Sequence, residues 1–409
     1  MSTLAIDFGT SNSAAAVFEN GAVRRIALEP GADTLPTAVF FPTEGGPMLV
    51  GTDAARALID GEDGRYMRAL KSVLGTALFH EARLVGGRRR TLAEVVTAFL
   101  AEVKARAEAA TGARFDRALS GRPVHFHSDD PERDARAEVD LRGCYLAAGF
   151  EAVDFLFEPE AAALNSVALG REGEIGLIVD IGGGTSDFSA FRVAGGTVEI
   201  LASHGIRLGG TDFDRALSLA EAMPLLGMAG ELTRTFGEGL LPVPRSIYVD
   251  LATWAKIPFL YTRETERLVD DLFRHAVEPE KLARLSTVIE ERLGHELAFA
   301  VEAGKVAANG GARAAIDMAM IEPGLGHPVT PGALAAALAQ YRDALRGALY
   351  ATLMQANVTP DAVGTVVLVG GSSLMTMITE TAREVCPGAR QARAEAFTAV
   401  VDGLARATA

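Results

Sequence analysis

The sequence predicts an α/β protein built from two related lobes that close over a cleft. Three observations predict it: a strand–Asp–Gly-turn–strand unit that occurs twice, long capped helices between the strands, and no low-complexity linker dividing the chain. In the first unit, Leu4-Ala5-Ile6-Asp7-Phe8 runs into Gly9-Thr10-Ser11-Asn12-Ser13 and then the apolar run Ala14 to Phe18. In the second, Leu177-Ile178-Val179-Asp180-Ile181 runs into Gly182-Gly183-Gly184-Thr185-Ser186-Asp187, followed by Phe188, Ala190, Phe191 and Val193. Each reads as a hairpin with an Asp at the end of its first strand. A further strand, Val366 to Val369, leads into Gly370-Gly371-Ser372-Ser373. Two such hairpins roughly 170 residues apart point to a duplicated lobe, not to a short-period solenoid.

The helices between them carry start and stop signals. Thr91-x-x-Glu94 predicts a capping box for a helix closing near Gly112. Thr287-x-x-Glu290 predicts a second helix start, with the helix running towards Asn309-Gly310, and Thr330-Pro331 predicts a third running to about Asn357. The expected lobes are 1–170 together with a C-terminal helix at 393–409, and 171–392. The stretch from about Ala216 to Arg284 lacks the repeat and reads as an inserted subdomain, taken as 216–310.

Composition narrows the function. Of 409 residues, 49% are apolar, a globular composition, and the formal net charge is -14. An acidic chain is repelled by nucleic acid and anionic membrane, so neither is expected as a partner. Arg88-Arg89-Arg90 reads as a solvated hairpin tip. Cys144 and Cys386, the two cysteines, read as small buried hydrophobes. Strand-like sequence begins at Thr3, leaving no room for a leader, and no apolar stretch is long enough for a membrane span, so a cytoplasmic protein is expected.

A glycine turn lets backbone N–H groups approach an anion unobstructed. Thr10, Ser11, Ser13 and Thr185 add hydroxyls, and Asp7 and Asp180 are hard oxygen ligands suited to hydrated Mg²⁺. One such hairpin would be an ordinary turn; two in register favour a triphosphate held from both sides. His125 and His127 alternate on a strand-like segment near Asp129 and Asp130, and read as ordinary sheet residues in preference to zinc ligands.

These segments resemble the Hsp70 chaperone family. Asp7 to Ser13 and Asp180 to Asp187 look like its two phosphate loops, Phe157-Glu158-Pro159-Glu160-Ala161-Ala162-Ala163 its connecting motif, Val369 to Ser373 its adenosine loop, and Leu208 to Asp214 the segment after the second hairpin. Leu35-Pro36-Thr37 and Val50-Gly51 match its early sheet. Tyr248 to Trp254 and Phe259-Leu260-Tyr261 are most similar to the YegD-type group within it. The resemblance implies an actin/Hsp70-like duplicated ATPase fold that binds ATP or ADP with Mg²⁺. It implies hydrolysis of the γ-phosphoryl group, mostly by positioning and charge stabilisation.

By the same resemblance, Lys71 would neutralise the γ-phosphate, and Glu158, Asp187, Thr185 and Asp180 would orient water and metal, with Asp7 and Asp180 as metal ligands. Gly9, Thr10, Ser11, Asn12, Gly182, Gly183, Gly184, Gly209, Gly210, Gly370, Gly371 and Ser372 would line the nucleotide. Glu302 and Lys305 would hold the ribose; from the residues alone they read as a surface salt-bridge pair, and Glu158 as a helix-dipole carboxylate. The chain departs from the pattern at Val306 and Leu374, where the family has adenine-stacking arginines, and at Arg122-Pro123-Val124-His125-Phe126, in place of Val-Pro-Ala-Tyr-Phe. No peptide-gripping β-sandwich is recognisable before Ala409, so a chaperone role is expected to need a separate partner or cochaperone. The competing readings are a module that holds nucleotide without turnover, a small-molecule kinase of the same superfamily and, with less support, a filament former.

Overall fold

Two five-membered strand paths with the same connectivity dominate the computed structural model, which describes residues 3–165, 171–194, 197–235, 237–311, 313–393 and 398–409. The first contains β1 (Thr3–Phe8), β2 (Asn12–Glu19), β3 (Ala22–Ile26), β4 (Arg117–Arg122) and β5 (Ala152–Phe157), in the order β5-β4-β1-β2-β3. The second contains β6 (Ile175–Ile181), β7 (Ser186–Ala194), β8 (Thr197–Ile206), β9 (Val363–Val369) and β10 (Arg390–Arg393), in the order β10-β9-β6-β7-β8. In each, the first hairpin is antiparallel and its first strand pairs in parallel on the other side, β1 with β4 and β6 with β9. The repeat read in the sequence is therefore a repeat of whole sheets. The short segment Leu35–Pro36 adds a sixth strand beside β2.

The strands form because both faces of the sheets are covered. β6 is buried from Gly176 to Ile181, and β2 from Ser13 to Val17. Between the sheets lie α3 (Glu158–Asn165) and α10 (Ala399–Arg406). Ala161 to Ala163 and Val400, Val401 and Leu404 share one core with Ala5, Ala14 and Ala16 from the first sheet and Ile178, Phe191 and Val367 from the second. These small side chains let the helices touch. Gly403 sits so close to the Ala161 backbone that a Cβ there would overlap the Ala161 carbonyl.

Other helices follow their caps. In α1 (Leu92–Thr111) the Thr91 hydroxyl accepts from Glu94 N–H while Glu94 accepts from Thr91 N–H, and Gly112 closes the helix in the left-handed region. Asp130 caps α2 (Pro131–Ala147), with Pro131 in its first turn. Cys144 lies buried in α2, and Cys386 is buried after α9 (Thr376–Val385). Arg88–Arg90 forms one arm of an exposed hairpin with Arg83–Val85.

By internal contacts the chain forms two units: residues 1–210 with 341–409, which holds both sheets, and residues 211–340. The second unit contains most of α4 (Gly210–Leu217), α5 (Arg263–His275), α6 (Pro279–Glu290), α7 (Gly294–Asn309) and the start of α8 (Pro331–Gln355). Thr330 caps α8 as expected, its Oγ1 accepting from Ala333 N–H at 3.0 Å.

Two expectations are corrected. Thr287 and Glu290 do not open a helix: they lie in the last turns of α6, which Pro279 begins, and the Thr287 hydroxyl bonds back to the Ala283 carbonyl. A left-handed residue, Arg292 at φ 59°, then separates α6 from α7. A capping-box pattern also arises inside a helix when the Thr binds its own preceding turn. Nor are His125 and His127 sheet residues. β4 stops at Arg122, Pro123 has no N–H to continue a ladder, and both histidines lie in the irregular segment that follows. His127 Nε2 bonds the Leu74 carbonyl at 2.7 Å, and Asp130 is occupied as the α2 cap.

Candidate active site: two glycine turns and a buried charge cluster

Asp7 and Asp180 are the penultimate residues of β1 and β6, so each carboxyl is delivered to the lip of its turn by strand register. Asp7 stands opposite Ala14, whereas Asp180 stands opposite Asp187. Like charges directly opposite on a sheet repel, and the sequence accepts that here.

The two turns touch. A Cβ on Gly183 would lie 2.5 Å from Ser11 Oγ and 3.1 Å from Thr10 Cβ, and one on Gly184 would lie 3.0 Å from Thr10 Oγ1. Gly182 N–H donates to Thr185 O at 2.9 Å, and Gly210 N–H donates to Gly182 O at 3.0 Å. Gly209 abuts Gly183 and Gly184, Gly210 abuts Ser372, and Gly370 packs against Ile181 O and Asp180. Gly9 folds over the Asn12 carbonyl. All these belong to the first unit, so residues from four separate stretches of sequence form one glycine-lined cradle.

Beneath it lies the charge cluster. Lys71, in the 3-10 turn Leu70–Val73, is 6% exposed, and its Nζ is 2.5 Å from Oε1 of Glu158, the first residue of α3. Burial works against the Lys71 ammonium, but Glu158, Asp7 and Asp187 raise its pKa above the usual value. Asp187 is 1% exposed, and its Oδ1 accepts from Val124 N–H at 2.7 Å. Burial and the nearby Glu158 raise its pKa well above the carboxylate range, against Val124 N–H, Lys71 and the Thr185 hydroxyl. Asp180 is raised similarly by burial, Glu158, Asp187 and Asp7. Asp7 is pushed to about 7 by burial and by Glu158, with Lys71 opposing. Four carboxylates thus surround one ammonium.

This donor set fits a cation. Among the described residues no three His, Cys, Asp or Glu side chains are placed to enclose a metal ion by themselves. Several carboxylates in one cluster suit a hydrated Mg²⁺, which keeps several waters.

In the second unit, Lys305 is not a surface residue. It is 6% exposed on α7, and its Nζ lies 2.6 Å from Oδ1 of Asp214, itself 5% exposed on α4. Trp254 Nε1–H donates to Asp214 Oδ2 at 3.3 Å, and the Asp214 carboxyl is raised by burial, against Lys305, and by Glu302. In the sequence Asp214 is the last residue of the Leu208 to Asp214 segment; a carboxylate closing that segment, with a lone tryptophan downstream, is the signal that marks it. Val306 and Leu374 are 61% and 41% exposed.

Duplicated sheets of this connectivity, with paired glycine turns above acidic strand ends, define the actin/Hsp70-like ATPase fold. The Hsp70 protein family model matches residues 3–221. The chain is also 35% identical over 221 residues to the chaperone protein DnaK of Methanothermobacter thermautotrophicus, covering 52% of this chain and 35% of the relative. It is 35% identical over 222 residues to chaperone protein DnaK of Endomicrobium trichonymphae, covering 52% and 34%. This chain belongs to the Hsp70 family. The matched region spans about a third of the length of these relatives. Among the described residues no helix is long and apolar enough to cross a membrane.

Proposed function

We propose that the chain binds Mg²⁺-ATP and ADP in the glycine cradle and hydrolyses ATP slowly, acting as a nucleotide-gated switch that signals to a protein partner or cochaperone. The observation that supports this most is the buried Lys71–Glu158 pair ringed by Asp7, Asp180 and Asp187 directly beneath two touching phosphate-type turns. Backbone N–H groups at Gly9 to Asn12 and Gly182 to Thr185 would hold the phosphates, and Ser372 and Gly370 to Gly371 would line the adenosine end.

Asp7 and Asp180 would hold a Mg²⁺ ion, which would supply charge neutralisation of the phosphates. Lys71 places its ammonium where negative charge grows on the departing γ-phosphoryl group. Glu158 holds Lys71 in position, and Asp187, fixed by Val124 N–H and Thr185, would orient the attacking water and accept its proton.

Nucleotide titration with single-turnover phosphate release tests this. Asp7→Ala and Gly183→Val should abolish Mg²⁺-ATP binding in folded protein, and Lys71→Ala should bind nucleotide but turn over slowly. Unchanged affinity in both of the first two variants overturns the cradle assignment. Tight binding with no turnover in the unaltered chain supports a nucleotide-holding module instead.

A further inference from the structure

Arg122 ends β4, and the chain then leaves the sheet, because Pro123 has no N–H for the ladder. The departing segment, 123–127, carries backbone groups that no strand satisfies, and three side chains take up several of them. Asp134 of α2 accepts from the N–H groups of Phe126 and His127. Asp187 of β7 accepts from Val124 N–H at 2.7 Å. Arg122 takes two carbonyls, its Nε donating to Pro123 O at 3.0 Å and its Nη2 to Val124 O at 3.2 Å. Gly205, opposite Asp187 on β8, leaves room for the crossing: a Cβ there would lie 2.6 Å from Asp187 Oδ1 and 2.9 Å from Val124 Cβ.

The Arg122 side chain is 14% exposed and is itself anchored. Nη1 donates to Glu138 of α2, and Nη2 lies 3.7 Å from Asp134 Oδ2. The guanidinium sits over the rings of Phe126 and Phe157, 5.3 and 5.1 Å from their centroids. Phe157 immediately precedes Glu158 in the chain. A planar guanidinium that is both stacked and ion-paired keeps its donors in fixed directions.

One peptide unit joins this clamp to the charge cluster. The Pro123 carbonyl and the Val124 N–H belong to the same planar amide, so holding one end aims the other. The donor at the carbonyl end is a cation, which polarises the amide and strengthens its N–H towards Asp187. We propose that Arg122 is a positioning residue for Asp187, acting through the Pro123–Val124 peptide. Resting on the reading of Asp187 as the group that orients water, it makes Arg122 matter to hydrolysis more than to nucleotide binding. The Hsp70 pattern has valine here, which can donate to neither carbonyl.

The test compares Arg122→Gln, Arg122→Lys and, as a control, Arg142→Gln in the full chain, with circular dichroism checking each fold. Arg142 also pairs with Glu138, at 3.2 Å, but it bonds the Val153 carbonyl and not the Pro123–Val124 peptide. In ligand-free protein, hydrogen exchange at Val124 N–H should quicken by about tenfold or more in Arg122→Gln, and by less in Arg122→Lys. ADP affinity, by calorimetry, should stay within about twofold in all three. Single-turnover phosphate release from Mg²⁺-ATP should slow by about tenfold or more in Arg122→Gln. Arg122→Lys should recover part of the rate, and Arg142→Gln should match the unaltered chain. If the glutamine variant does not fold, the lysine variant carries the same comparisons. Unchanged Val124 exchange, a rate lost equally in Arg142→Gln, or affinity that falls in step with rate overturns the proposal. An unaltered chain that releases no phosphate strikes the hydrolytic reading instead, and Val124 exchange then decides for or against the clamp by itself.

Discussion

Lys71 faces four carboxylates in a largely buried cluster, and that imbalance should be measurable in the free protein. Asp7 has a folded pKa of about 7 against an ordinary value of 3.8, so the folded state binds its proton more tightly than the unfolded chain. Stability therefore falls as pH rises through that interval and levels off above it. At about 1.4 kcal/mol per unit, Asp7 alone contributes at most about 4 kcal/mol. Asp180 and Asp187 are raised too and act in the same direction. Ligand-free urea melts at pH 5 and pH 8 should show lower stability at pH 8, with Mg²⁺ restoring part of it and Asp7→Asn flattening the slope. Stability that rises over this window would contradict the burial of the cluster.

Lys305 gives a second test at this scale. Asp214→Ala removes the carboxylate 2.6 Å from its buried ammonium, which should cost about 3–5 kcal/mol. The double change Asp214→Ala with Lys305→Met should recover much of that loss. Trp254, the one tryptophan in the chain, bonds Asp214, so its emission reports the same event.

At the scale of elements, helix ends and hairpins were legible where the signal is local. Thr91, Glu94 and Gly112 do what their types dictate, because a cap is settled within a few residues. Thr287 shows the limit: the same pattern sat inside α6, and only the Pro279 start and the turn at Arg292 decided between the two. Helix crossings were not legible. Nothing local marks Gly403 as the point where α10 meets α3, while Gly347 in α8 has open space around its Cβ position. Gly403→Val should therefore destabilise by about 1–3 kcal/mol or more. Gly347→Ala should stabilise by about 0.5–1 kcal/mol, through helix propensity. Thermal melts of the two variants should move in opposite directions, and a neutral Gly403→Val would mean that α3 and α10 do not pack this closely.

For the molecule as a whole, nucleotide binding should raise the melting temperature, since a ligand of the folded state stabilises by mass action. Val306 and Leu374 stand where the Hsp70 resemblance has adenine-stacking arginines, and neither side chain supplies a cation. Loss of cation–π stacking, about 0.5–2 kcal/mol per contact, should lower ATP affinity by roughly tenfold relative to Hsp70 proteins with both arginines. GTP should then approach ATP in affinity. Calorimetry with both nucleotides, repeated on Val306→Arg with Leu374→Arg, decides this: ATP-selective binding that gains nothing from the arginines would rule it out.

The sequence by itself determined that strand–Asp–Gly–hydroxyl hairpins occur twice, that a third strand ends in Gly-Gly-Ser, and where several helices begin. Those features depend on backbone sterics, side-chain alternation and capping bonds within about ten residues. The tertiary structure decided which charges meet: Lys71 with Glu158, 87 residues away, and Lys305 with Asp214. Each grouping carries a desolvation cost set by the elements packed around it, and no stretch of sequence states that cost, because burial is a property of the folded chain.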